Sequence, residues 1–508
     1  MAQKQKTGGI MTVEGLDLSK PAEYLTERAT PNCQNMLVDR SVLRKRYGST
    51  IKGATMSERV MRGGEFDVAG VKYEIRIGLD EIHEWNAGSS PAAWDDVTGS
   101  DLTGTTSDPF SLAVPLLSGV RIATFSNYID NIRKYTGAGN TADLGGSPPK
   151  AKFLLAFDEY LLLAFINDGT ERPMRVQWPN TADPETWTGG NSGAKDLIED
   201  GQDITGMAAF GNFAAVHKQT AIYLGYKVTT SSIFKFDRKN VVGTIANNTI
   251  QNLPNGLQAY LANDGIRLFN GISAPLIESS VTDELRDSIN PEYVISSWSI
   301  VIPELDEYWV AVPIGSQTTP DTIYKYNYKN GTCHRDVREG ITAAWKYTNT
   351  VQPNWDDLVG SWDSQTWRWD DRALLNLFQL TVFGDSAGIT TTRDITVNSD
   401  NAVAIDAYWE SKDFTSEELG RLVRWQKIDV WAKGNSCEVA YSTDSGETWT
   451  LIEDISLNAS YPTDDDPDEL WHDVLSSKIR YRFKNDTAGE TFSVKQFIVS
   501  YINREMRG

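Results

Sequence analysis

Phe153-Leu-Leu-Ala-Phe157, then Asp158-Glu159, then Tyr160-Leu-Leu-Leu-Ala164: two apolar runs hinged on an acidic pair decide how this chain reads. Runs this short, rich in Leu, Phe and Tyr and broken by a two-residue polar step, point to a β-hairpin covered on both faces rather than to a helix. The unit recurs. Met207-Ala-Ala-Phe210 and Phe213-Ala-Ala-Val216 flank Gly211-Asn212 in the same way. Further two-residue turns are expected at Ala69-Gly70, Ser118-Gly119, Asn263-Asp264, Asp306-Glu307 and Asp370-Asp371. Successive turns lie roughly 40 to 65 residues apart, near the blade length of propeller proteins.

A second mark follows most of these hairpins, an aromatic residue shortly before a glycine turn. It occurs at Trp85-Asn-Ala-Gly88, Tyr135-Thr-Gly137, Phe269-Asn-Gly271, Tyr328-Lys-Asn-Gly331 and Phe383-Gly384, and is expected to join the third and fourth strands of each unit. The fifth unit is irregular, because its aromatic follows the turn almost at once. The fold class expected is all-β: an irregular β-propeller of about six to eight blades, seven being the central figure, followed by a C-terminal β-sandwich. Stacked sandwiches are the competing architecture. Radial repetition has the advantage of leaving only short sheet edges. Two short helices are expected, one near Ser19 with Pro21 in its first turn and one after Ser280, where Asp283 and Glu284 suit a positive helix end.

From about Val403 the pattern changes to clean in/out alternation, as in Lys427-Ile-Asp-Val-Trp-Ala432, Cys437-Glu-Val-Ala-Tyr441 and Lys478-Ile-Arg-Tyr-Arg-Phe483. That is sandwich patterning. Thr390 to Asn401, rich in Thr, Asn and Asp, reads as the linker. The expected division is 1–56 as an N-terminal arm and lead-in strand, 57–395 as propeller and 402–508 as sandwich.

Composition narrows the function classes. The 16 Trp, 20 Tyr and 17 Phe in 508 residues supply enough bulky apolar surface for sizeable cores. The longest apolar run, Tyr160 to Ile166, is too short to span a bilayer, so no membrane insertion is expected. The chain opens with no apolar leader, and Cys33, Cys333 and Cys437 are too sparse for a disulfide framework, which suits assembly in a reducing cytoplasm. A formal charge of −21 repels nucleic acid and argues against sequence-specific DNA binding. An acidic wall would, however, let DNA slide past without gripping it.

Several motifs suggest chemistry and are each outweighed by a structural reading. Gly384-Asp385-Ser386-Ala387-Gly388 matches the G-x-S-x-G nucleophile elbow, but Ile389-Thr-Thr-Thr392 is a poor helix, and the motif has no alternating parallel strand–helix pattern around it. A glycine-rich hairpin is expected. Ser442-Thr-Asp444-Ser-Gly446-Glu-Thr448-Trp449 matches the Asp-box of sialidases, a structural turn in which Asp444 bonds backbone, Gly446 takes positive φ and Trp449 packs beneath. Asp183-Pro-Glu-Thr-Trp187 and Asp363-Ser-Gln-Thr-Trp367 are shorter variants. The acidic run Asp464 to Glu469 begins like a calcium loop, but Glu469 replaces the glycine and Leu475 the final Glu, so a solvated loop is expected. His83, His217, His334 and His472 lack metal-ligand spacing, and no cofactor or catalytic set is assigned. Arg40, Arg44, Lys45 and Arg46 form a basic patch in an acidic chain. They are candidates for contact with a partner, either DNA or an acidic neighbouring subunit, and the alternative is outward residues of an edge strand.

One resemblance adds to this reading. Pro31-Asn-Cys-Gln-Asn35-Met-Leu-Val-Asp39, followed by Val42-Leu-Arg44-Lys-Arg46-Tyr-Gly48, resembles the lead-in segment of bacteriophage tail hub and nozzle proteins. Arg175 to Trp187, Asp203 to Asn212 and Gly243 to Gly271 look like later segments of that family, in the same order. The resemblance implies a structural, non-enzymatic virion protein assembled in the host cytoplasm. Its protomers would form a ring, a homohexamer, below the head–tail adaptor. That ring would continue the DNA ejection channel, pass genomic DNA without reading it, and anchor tail fibres or spikes. Two rivals stand beside it: a glycan-recognising, receptor-binding tail protein, and a sialidase-like glycosidase.

Overall fold

Seven small antiparallel sheets account for most of the chain, and their first strands meet around one axis. The computed structural model describes residues 4–10, 14–39, 42–89, 91–228, 233–277, 281–348, 379–415, 421–463 and 466–503. Blades one to four start at Arg62–Val68, Ser111–Ala113, Lys150–Phe157 and Ile204–Phe210, and each runs outward through four strands. Blade five starts at Gln251–Asn252, blade six at Trp298–Ile302 and blade seven at Ile341–Tyr347. Neighbouring blades touch in series, and the first strand of blade seven touches that of blade one, which closes the ring.

The hairpin of blade three shows why the pattern folds this way. Asp158 and Glu159 both take positive φ, +46° and +65°, and Phe157 faces Tyr160 across the turn. This is the geometry whose twist matches the flanking strands. Tyr160 to Ile166 is buried at every position because the second strand of a blade is covered by a neighbouring blade on each face. Ala69-Gly70 makes the corresponding turn in blade one, with φ of +52° and +89°.

Several expectations are corrected in detail. Asn263-Asp264 joins the second and third strands of blade five, because a two-residue inner strand, Gln251–Asn252, precedes them. Phe383-Gly384 likewise precedes a turn between second and third strands, Leu380–Asp385 and Thr390–Asp394. The fourth strand of blade seven is Gly48–Ile51, from the start of the chain. Thr390–Asp394 is therefore a blade strand rather than linker. Ser118-Gly119 closes a short ladder of its own, Leu116–Leu117 with Val120–Arg121. The turn at Asp370-Asp371 and the variant Asp-box at Asp363 to Trp367 lie outside the described residues. Near Ser19 only a 3-10 turn forms, Ala22–Tyr24, whereas the second expected helix is Thr282–Ser288.

The sandwich is built from both ends of the chain. One sheet runs Asp468–Ser476, Val423–Gly434, Phe492–Asn503, Val42–Lys45 and Met36–Asp39, with Lys4–Ile10 also paired to Phe492–Asn503. The other runs Cys33–Gln34, Ala407–Glu410, Lys478–Asn485, Ser436–Ser442 and Thr450–Ser456. Trp409, Phe483 and Phe497 meet between the sheets, with ring centroids 5.4 to 6.2 Å apart. This core continues into Leu261 and Val310 of blades five and six, so residues 402–508 do not form the sandwich alone.

Candidate functional site

The basic segment is where sequence and structure differ most. Arg40 lies outside the described residues. Val42–Lys45 is flanked by strands on both sides, so it is not an edge strand. Arg44 stays local, half-buried, with its guanidinium 4.1 Å from the Tyr47 ring centroid. Lys45 is fully buried and donates to Asn485 Oδ1 at 2.7 Å and Thr487 O at 3.1 Å. Burial, then the neighbouring Arg46, pull its ammonium down to about 8. Arg46 is also buried and grips Asp400 with two nitrogens, at 3.1 and 2.5 Å. The expectation of a partner-facing patch is corrected for Lys45 and Arg46: their hydrogen-bonding capacity is spent inside the chain, because unpaired burial of a cation is too costly.

These residues belong to a clasp. Asp336 sits 3.8 Å from Arg46 and 2.7 Å from Lys325 Nζ, and Arg338 lies 3.9 Å from Asp400. Burial raises the Asp400 carboxyl, but Arg338 and Arg46 outweigh it and hold it well below the usual carboxylate range. Asn35, at φ +56°, accepts from Arg46 Nε and from the Val337 N–H. The clasp thereby ties the lead-in segment to blade six and to the connector before the sandwich.

The Asp-box forms the hairpin between Ser436–Ser442 and Thr450–Ser456. Asp444 accepts from the Ser442 hydroxyl at 2.6 Å and from the Thr448 N–H at 2.9 Å. Those bonds hold its carboxyl below the usual range, with the Ser442 contact leading. Gly446 has φ +95°, and a Cβ there would meet Arg480 Nη1 at 2.8 Å. Trp449 is half-buried beneath Arg482, at 4.6 Å. Asp183 repeats part of this device, accepting from Thr186 Oγ1 at 2.7 Å.

Ser386 sits in a hairpin, its N–H on Gly340 O at 2.8 Å. The histidines are engaged elsewhere: His83 with Arg76 and Glu81, His217 with Gln258, His472 with Tyr481, while His334 is buried beside Lys325 and Asp336. Asp464 lies outside the described residues, and Glu469 pairs with Lys427 at 2.6 Å. Among the described residues no group of His, Cys, Asp or Glu has metal-binding geometry.

Sequence reasoning missed the axial mouth of the propeller, where segments leading into blades one to six converge. One cavity of about 220 Å³ is lined by Phe110, Lys152, Phe153, Phe165, Asp203 and Asn247. Phe165 sits at a β-bulge with φ +54°, an uncommon conformation for an aromatic residue, which places its ring 3.6 Å from Lys152 Nζ. A second cavity of about 260 Å³, sharing Ile295, is lined by Arg59, Thr106, Ser107, Glu292, Tyr293 and Ser296. No single motif encodes this mouth, since its lining is drawn from several separate segments of the chain.

No family model and no curated protein matches the chain. Among solved structures, the β-propeller domain of Myceliophteria thermophila Cps50 (Swd1) is similar at 9% identity and a TM-score of 0.38, covering 72% of this chain and 99% of that one. BamB from Moraxella catarrhalis is similar at 8% identity and a TM-score of 0.33, covering 69% and 97%. An exo-β-1,3-galactanase from Phanerochaete chrysosporium aligns at 9% identity and a TM-score of 0.28, covering 89% and 100%. Similarity at this level carries no functional information.

Proposed function

We propose that this chain is a structural protein of a bacteriophage tail, the hub or nozzle below the head–tail adaptor, acting as a stiff wall element of the DNA ejection channel. The observation that carries the proposal is the path of the lead-in segment. Residues 33–51, whose sequence resembles that family, enter both sheets of the sandwich and then the last blade. A segment stitched through three sheets and clamped by Arg46 and Asp400 couples the two bodies mechanically, as a load-bearing ring subunit requires. The charge of −21 suits a lumen through which DNA slides. Self-association into a ring of six, and contacts with adaptor and fibres, are part of the proposal. Electron cryomicroscopy of the assembled particle tests it: density for seven blades in a ring beneath the adaptor is expected, and density elsewhere refutes it.

A glycan-recognising role has one observation in its favour. Trp471 is 63% exposed on the sandwich and shares a shallow depression with Gln426, His472 and Asp473. Specific binding on a glycan array, lost in Trp471→Ala, would favour this role over the hub.

A further inference from the structure

Most deeply set cations in this protein have anionic partners, and Lys45 and Arg76 have neutral acceptors instead. Lys52 pairs with Glu74, Lys218 with Asp200, Lys325 with Asp336, Arg46 with Asp400 and Arg480 with Asp413. That is the expected arrangement, because a cation removed from water without compensation is strongly destabilising. Arg59 and Arg62, both half-buried, depart from it. Neither guanidinium makes a hydrogen bond or ion pair with any described residue, and the Nε of each is a buried donor without an acceptor. Burial is the only influence on either guanidinium, and it pulls that of Arg62 down to about 10.

Their position supplies the second observation. Arg59 lines the cavity of about 260 Å³ at the axial mouth, opposite Thr106, Ser107, Tyr293, Ser296 and Thr318. Five hydroxyl-bearing residues share this lining; Ser296 donates to Tyr293 O at 2.7 Å, and the guanidinium itself presents a planar fork. Glu292 also lines the cavity but makes no ion pair with Arg59. Arg62 opens the first strand of blade one three residues further on.

We propose that the axial mouth binds a small oxyanion, a phosphate- or carboxylate-bearing solute, with Arg59 as principal ligand and the hydroxyls of Thr106, Ser107, Tyr293 and Thr318 as further donors. Two charge-assisted bonds to a planar fork are the strong form of such recognition. The occupant supplies the counter-charge that the chain itself withholds.

Thermal unfolding and titration calorimetry of the full chain test this with inorganic phosphate, sulfate and acetate, each against sodium chloride at matched ionic strength. A saturable rise in the unfolding midpoint, about 2 °C or more, is expected for at least one oxyanion but not for chloride. A response to phosphate and sulfate alone assigns a tetrahedral anion, and one to acetate a carboxylate. Arg59→Gln should weaken binding at least tenfold, and Arg59→Lys by less, since Lys keeps the charge without the fork. Should the Gln variant fail to fold, Thr106→Val with Ser107→Ala should still reduce the affinity severalfold. Equal responses to oxyanions and chloride, or unchanged binding in folded Arg59→Gln, would overturn the proposal.

Discussion

Replacing Asp400 by Asn removes the charge at the centre of the clasp while keeping the shape of the side chain. The Arg46 and Arg338 side chains are only 6% and 4% exposed, so neither can turn to water when that charge disappears. Breaking a buried pair costs about 3–5 kcal/mol. Asp400 itself is 29% exposed, which brings the expected loss to about 2.5 kcal/mol. The loss falls on a defined place. Gly48 N–H donates to Val397 O at 2.8 Å, Ser49 N–H to Ser399 O at 3.1 Å and Asn401 N–H to Ser49 O at 2.8 Å. Hydrogen exchange at Gly48, Ser49 and Asn401 should accelerate by nearly two orders of magnitude, at 1.4 kcal/mol per tenfold. The sign with pH follows from the depressed carboxyl. The wild-type contribution is fully present above the ordinary carboxylate pKa of about 4 and is lost as pH falls through the lower folded-state value. Asp400→Asn should therefore show a flatter acid dependence at those amides. Acceleration below about threefold at neutral pH would refute this account of the clasp.

Three further outcomes are expected. Gly446→Ala, forced into φ +95° against Arg480, should lower sandwich stability by about 1–2 kcal/mol in urea unfolding, whereas Gly70→Ala, with open space around it, should cost less. His217 and His334 are held neutral, burial taking them down to about 4 and about 3, while the unfolded chain protonates near 6.5. Their contribution is thus present above about pH 6.5 and declines as pH falls toward 4, and His217→Gln should flatten that slope in equilibrium denaturation. Cys33, Cys333 and Cys437 are all buried, and burial pushes Cys33 up to about 11. A water-soluble disulfide reagent should leave the native thiols unmodified and label all three in denaturant.

The blades were legible because their hairpins combine two local signals, apolar density and a turn that tolerates positive φ, as at Asp158-Glu159. Blade five was not, because Gln251–Asn252 is too short and polar to register as an inner strand. Lys45 and Arg46 read as a surface patch because sequence displays charges but not the groups that meet them, neutral acceptors for Lys45 and carboxylates for Arg46. Asp400 lies 354 residues from Arg46, and only the tertiary fold brings it and Asp336 together with that guanidinium. The turn bonds of Asp444 were readable, being confined to neighbours. The axial mouth was not, since Arg59, Thr106 and Tyr293 follow no shared spacing.

Blade seven borrows Gly48–Ile51 to complete its outer edge. During vectorial synthesis those residues leave the ribosome early and must wait for Thr390–Asp394, some 340 positions later, before they find their place. Circular closure is thus a late event of biogenesis, with the pairing of Val42–Lys45 to Phe492–Asn503 later still, and a nascent chain stalled before it presents an unsealed seam to chaperones and to sister chains.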